Sequence, residues 1–121
     1  MSINSALAPF QDVLSAEPSD DGARQSLINE LKRRAKHALA SMKRPMIARE
    51  LYAKAIEVGK AMDSFDGLHL LLGNRAMCDI TLGNYDSAVG DAKEAIEIDG
   101  VRRRAAIEQR ASSLTTNKLN D

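Results

Sequence analysis

Residues 72–99 restrict what this chain can fold into more than any other stretch. They read Leu72-Gly73-Asn74-Arg75-Ala76-Met77-Cys78-Asp79-Ile80-Thr81-Leu82, then Gly83-Asn84, then Tyr85-Asp86-Ser87-Ala88-Val89-Gly90-Asp91-Ala92-Lys93-Glu94-Ala95-Ile96-Glu97-Ile98-Asp99. Apolar residues recur at helical spacing on both sides of Gly83-Asn84, which predicts two amphipathic helices joined by a tight turn. Gly83 is placed as a left-handed C-cap, a conformation that costs glycine little. Ala76, Ala88, Ala92 and Ala95 sit where the two helices must touch, and small side chains there let the backbones approach.

Composition agrees with helices and excludes much else. The chain has 121 residues, enough for one domain, with two Tyr, two Phe and no Trp. Aromatic-rich sheet cores and base-stacking platforms both need more rings than that. Ala, Leu, Ile, Glu, Lys and Arg dominate, so the expected class is all-α. Cys78 is the only cysteine, which leaves no internal disulfide and no Cys-based zinc site. His37 and His69 lie far apart, without HExxH spacing, and no Gly-rich phosphate loop is present. No catalysis, cofactor, metal or small-molecule substrate is therefore expected. The first twenty residues carry Asp12, Glu17 and Asp20 but no Lys or Arg, unlike a secretory or mitochondrial leader. No stretch approaches the roughly 20 apolar residues of a membrane span. The expected compartment is the cytoplasm.

Taken in order, residues 1–22 form an arm, a short helix or a disordered segment, in which Pro9 interrupts the apolar set Ala6, Leu7, Phe10, Val13 and Leu14. Ser19, Asp20 or Asp21 can cap the next helix. A helix over 23–42 follows, with Leu27, Leu31, Ala35, Ala38, Leu39 and Met42 on its apolar face. A second runs from Pro45 to about Val58, with Ile47, Ala48, Leu51, Tyr52, Ala55 and Ile56 inward, Pro45 being suited to a first turn. The loop Gly59–Gly67 offers Ser64 or Asp66 as a cap for a third helix over 68–82. The fourth spans 85–98 and is expected to end at Gly100, before a last helix over 101–114 that packs back through Val101, Ala105, Ala106 or Ile107, and Ala111. Residues 23–114 make up the helical domain and 115–121 a fraying tail.

Charge is segregated although it sums to zero. Residues 1–23 hold four acids and no base, and 24–54 hold nine bases and two acids. Residues 55–100 hold three bases and nine acids, and 101–121 five bases and two acids. Such a surface steers partners of matching charge.

The two hairpins repeat each other at an interval of 40 residues. Ala48, Tyr52, Ala55-Ile56-Glu57-Val58 of the first stand where Ala88, Ala92, Ala95-Ile96-Glu97-Ile98 stand in the second. With Ala76, Gly83, Tyr85, Ala88 and Ala95 at its pattern positions, the second copy resembles the tetratricopeptide repeat, a helix–turn–helix unit of 34 residues. Gly100 occupies the site where that family usually has proline. The resemblance covers about residues 27–114 and implies an antiparallel helix-hairpin solenoid of two repeats and a C-terminal capping helix.

Leu31 to Leu39 and Leu72 to Ala76 further resemble the subgroup found in Hsp70 and Hsp90 co-chaperones. These proteins hold the C-terminal carboxylate of an acidic peptide ending in Glu-Glu-Val-Asp in a concave groove. That task calls for cations and amide donors converging from inner helices. The resemblance implies a peptide-binding set of Lys32, Lys36, Asn74 and Arg104. Lys32 and Asn74 match the pattern and Arg104 keeps the charge. Lys36 departs from an expected Asn, and Glu108 stands where an Arg is expected. A one-residue shift would put Arg33 and His37 in place of Lys32 and Lys36. The alternatives are a generic scaffold or adaptor, a self-assembling homodimer that covers apolar surface left at the end of a short stack, and, less favoured, a binder of RNA or an anionic membrane through Lys32-Arg33-Arg34 and Arg102-Arg103-Arg104.

Overall fold

The computed structural model describes the backbone of residues 3–120 and the side chains of residues 5–113. Every regular element among them is helical. An N-terminal arm comprises α1 (Ile3–Leu7), a 3-10 turn (Ala8–Phe10) and α2 (Gln11–Leu14), followed by the long helices α3 (Asp21–Ala40), α4 (Pro45–Lys60), α5 (Leu68–Leu82) and α6 (Tyr85–Asn120). The architecture is an all-α helical-hairpin solenoid: α3 packs on α4, α4 on α5 and α5 on α6.

Local chemistry explains most of the helix ends. Asp20 caps α3, its carboxylate accepting from the Ala23 N–H at 2.7 Å. Pro45 occupies the first turn of α4. Gly83 takes φ of 82° at the end of α5, and the Asn84 N–H reaches back to the Asp79 carbonyl at 2.7 Å, satisfying a carbonyl the helix leaves open. The expected caps Ser64 and Asp66 play no such part: Gly67 precedes α5 and makes no side-chain cap. Instead, the ring of Phe65 folds over the chain. A Cβ built on Gly59 would lie 2.7 Å from Phe65 Cδ1, and one on Gly67 would lie 3.0 Å from its Cζ. The two glycines thus make room for the ring that closes this loop, and the loop accounts for a repeat interval of 40 residues.

The core is centred on α4. Ile47, Ala48, Leu51, Tyr52, Ala55 and Ile56 are all buried, as their spacing predicts. On α3 the buried set is Ile28, Leu31, Ala35 and Ala38, whereas Leu39 and Met42, expected on the same face, are 37% and 39% exposed. For Met42 the reason lies in the turn. The Met42 N–H bonds to the His37 carbonyl and the Arg44 N–H to the Ala38 carbonyl, so the chain leaves the helix axis at Ser41 and Met42 swings out. The arm, by contrast, joins the core: Phe10 and Val13 are buried in the same cluster, and α2 lies on α3.

One expectation fails at Gly100. Residues 101–114 do not form a separate capping helix that returns to the stack; they continue α6, and all of residues 101–113 are exposed. Among the described residues Gly83 is the only glycine with positive φ, so Gly100 sits in ordinary helical conformation. A glycine inside a helix costs about 1 kcal/mol relative to alanine, but it breaks no hydrogen bond as a proline would. Asp99 bridges the position as well, pairing with Arg103 at 3.0 Å and approaching Arg102 at 3.8 Å. With glycine where the repeat family has proline, nothing stops the helix. The side chains of the expected tail, 115–121, lie outside the described residues.

Candidate functional site

The core side of α3 is defined by Ile28, Leu31, Ala35 and Ala38. At 3.6 residues per turn, Lys32 and Lys36 then share one flank of the helix, and Arg34 stands on the opposite flank. The two flanks differ in what they touch. Arg34 donates to both oxygens of Asp12 in the arm, at 2.9 and 2.8 Å, and to Glu30 at 2.9 Å. Arg33 also grips Glu30, its Nε donating at 3.1 Å. Hydrogen bonds from Arg33 and Arg34 hold the Glu30 carboxyl down to about 2, and the one from Arg34 lowers Asp12 in the same sense. These arginines are committed to the fold. Lys32 is half-buried and Lys36 exposed, and among the described residues neither makes an ion pair or a side-chain hydrogen bond. The alternative pair Arg33 and His37 is therefore the poorer one, since Arg33 is already occupied.

On α5 the three residues Asn74, Arg75 and Ala76 divide the work. Ala76 is buried at the contact with α6. Arg75 grips Asp91 of α6 in a two-pronged pair, at 2.7 and 2.8 Å, and that hydrogen bond raises its own pKa. Asn74 is half-buried and, among the described residues, its side-chain amide is unused. Lys32, Lys36 and Asn74 thus share a property that the neighbouring arginines lack: their polar groups remain available to a ligand.

Arg104 does not join them. His69, in the first turn of α5, meets Arg102 at 3.1 Å, so α6 runs past the end of α5 beyond that point. Asn74 lies more than a turn along α5 in the other direction. Arg104 stands on the exposed continuation of α6, where, among the described residues, its Nε contacts only the Gly100 carbonyl, at 3.4 Å. Glu108 lies on the same continuation, so the carboxylate expected to repel an acidic ligand is also removed from Asn74. Both placements follow from the missing turn at Gly100.

Two features escape sequence reasoning. Asp79 is wholly buried at the junction of the hairpins, where it accepts from Arg49 Nε of α4 at 2.5 Å and from the Asn84 amide at 3.2 Å. Among the described residues its Oδ2 has no hydrogen-bond partner. Beside it, burial and the Asp79 carboxylate push the Cys78 thiol up, which suits an inert core residue. The second feature is an apolar trough of about 470 Å³ between α5 and α6, lined by Ala76, Met77 and Ile80 on one side and Tyr85, Val89 and Ala92 on the other. Ala92 occupies the place that Tyr52 has in the first hairpin. Tyr52 is buried at 2% exposure, while the trough beside Ala92 is open, with Met77 at 62% and Tyr85 at 64%. The arm cannot close it, because the arm lies on α3 at the far end of the stack.

Among the described residues there is no group of three His, Cys, Asp or Glu able to hold a metal ion, and no helix long and apolar enough to cross a membrane.

The protein is thus an all-α stack of helix hairpins, compatible with tetratricopeptide-like repeats, with two unpaired lysines on one flank and an open apolar end. No family model matches the chain, and no solved structure matches it. Among known proteins it is similar to the Protein SGT1 homolog of Oryza sativa subsp. japonica, with 38% identity over 68 residues. That region is 56% of this chain and 17% of the relative, so the chain matches a small part of a much longer protein.

Proposed function

We infer that the chain is a non-catalytic interaction module of the cytoplasm that captures an acidic peptide at the flank formed by Lys32, Lys36 and Asn74. The observation that carries this reading is the selective availability of these groups. Arg33, Arg34 and Arg75 around them are neutralised by Glu30, Asp12 and Asp91, whereas the two lysines and the amide are left to a ligand. Two ammonium groups one turn apart suit a pair of carboxylates, and in this reading the Asn74 amide of α5 donates to one of them. The C-terminal end of a peptide closing with Asp presents that pair. The resemblance to the co-chaperone subgroup points to the chaperone tail ending in Glu-Glu-Val-Asp as partner, with Arg104 outside the site.

Calorimetric titration with an acidic peptide ending in Glu-Glu-Val-Asp, as free acid and as C-terminal amide, tests the reading. Lys32→Ala and Asn74→Ala should each weaken the free acid by about tenfold or more, the loss of one charge-assisted hydrogen bond. Arg104→Ala should leave affinity unchanged, and amidation should abolish binding. Equal affinity for acid and amide would overturn recognition of the terminal carboxylate. Full retention of binding in Lys32→Ala would overturn the site itself.

A further inference from the structure

The 36-residue helix α6 has two sides with different fates. Ala88 and Asp91 face α5 and are buried, whereas Val89, Ile96 and Ile107 are 51%, 72% and 67% exposed. The outward stripe runs Ala92, Ile96, Gly100, Arg103, Ile107 and Ala111, in steps of 4, 4, 3, 4 and 4. Eleven residues make just over three whole turns, so these positions stay on one face for the length of the helix. The step pattern also reads identically in either direction.

That symmetry specifies a partner. Laying a second copy of α6 end for end about the point between Val101 and Arg102 brings Ile96 opposite the partner's Ile107 and Ala92 opposite the partner's Ala111. Gly100 then meets the partner's Arg103. A Cβ at Gly100 would meet nothing within 4 Å, so the aliphatic stem of an arginine can cross there. Charge obeys the same symmetry. Residues 85–99 hold five acids and one lysine, and residues 101–113 hold four arginines and one glutamate. Antiparallel pairing sets acidic half on basic half twice, while parallel pairing sets like on like. The same placement lays the partner's Ile107 and Ala111 along Ile96 and Ala92, at the edge of the open trough. Because α6 runs straight through Gly100, no described helix of the same chain returns to that trough.

We propose that two copies of this chain pair through antiparallel α6 helices in the register Ile96 to Ile107, each copy's basic end covering the open trough of the other. The surface is isologous, as a two-fold dimer requires. The dimer surface is separate from the lysine flank of α3, so neither reading depends on the other.

Sedimentation of the full chain at about 100 µM tests the pairing, and a dimer is expected. Ile96→Glu and Ile107→Glu, both at exposed positions that the fold does not need, should each raise the dimer dissociation constant about 100-fold, because each change occurs twice and buries a charge. Gly100→Leu should do likewise while increasing helical content. Register is read by cross-linking. An equal mixture of Ile96→Cys and Ile107→Cys chains should form the mixed disulfide on mild oxidation. Ile96→Cys alone should not, because antiparallel pairing places the two thiols about 16 Å apart along the axis. A strict monomer at this concentration, a dimer indifferent to Ile96→Glu, or an efficient disulfide between two Ile96→Cys chains would each overturn the proposal.

Discussion

Removal of Arg49 should destabilise this protein far more than its place near the surface suggests. Its side chain is 27% exposed, but its partner Asp79 is entirely buried and has only the Asn84 amide besides. Arg49→Ala therefore strands a buried carboxylate whose other oxygen is already unsatisfied. Breaking a buried pair from one side costs about 3–5 kcal/mol, a large part of the roughly 5–15 kcal/mol that holds a domain together. With a urea slope of about 1.5 kcal/mol per molar, the unfolding midpoint should fall by about 2–3 M. The companion variant Arg49→Met/Asp79→Leu removes both charges and fills the space with apolar groups. It should stay within about 1 kcal/mol of the parent, since the penalty belongs to the unpaired charge and not to the absence of a bridge. Urea denaturation followed by circular dichroism measures both. A loss below about 1 kcal/mol for Arg49→Ala, or a double variant as weak as the single one, would refute the reasoning.

Acid should release the arm. The folded Asp12 and Glu30 carboxyls both titrate below their ordinary values, so their contribution is full above about 4.5 and is lost as pH falls toward the folded value of about 2 for Glu30. Amide chemical shifts of residues 10–14 should move across that window in the parent and much less in Asp12→Asn, which removes the arm's titrating partner of Arg34; shifts that stay constant down to pH 2 in the parent would contradict the lock. At Gly59, alanine is a better helix former by about 1 kcal/mol, yet its Cβ would sit 2.7 Å from the Phe65 ring. Gly59→Ala should lower stability by about 1–3 kcal/mol, and Phe65→Ala in the same chain should remove that clash; thermal unfolding that shows Gly59→Ala stabilised would count against the packing described.

The candidate site was legible in part. Lys32, Lys36 and Asn74 could be singled out only because the resemblance to the co-chaperone subgroup implies them. Their availability could not, because it depends on where Asp12 and Glu30 reach. Asp12 lies 22 residues before Arg34 and is brought to it only when the arm folds onto α3. The role of Asp79 could not be read either, since nothing local ties it to Arg49, 30 residues earlier. Arg104 belongs to the set that the resemblance implies only if a separate helix begins after Gly100.

Sequence alone determined the helical class, the hairpin at Gly83, a cap for α3 among Ser19, Asp20 and Asp21, and the inward face of α4. These depend on interactions within a turn or two: a left-handed glycine, a carboxylate three residues from an N–H, apolar residues returning every three or four positions. Tertiary structure decided the rest. Whether a helix stops at a glycine depends on whether a turn there has anything to pack against, because the local cost of continuing is only about 1 kcal/mol. Which arginines are spent and which lysines are left depends on acids distant in the chain. The open face between α5 and α6 exists because each hairpin buries its surface on the next, and past Asp99 the chain goes straight on instead of folding back.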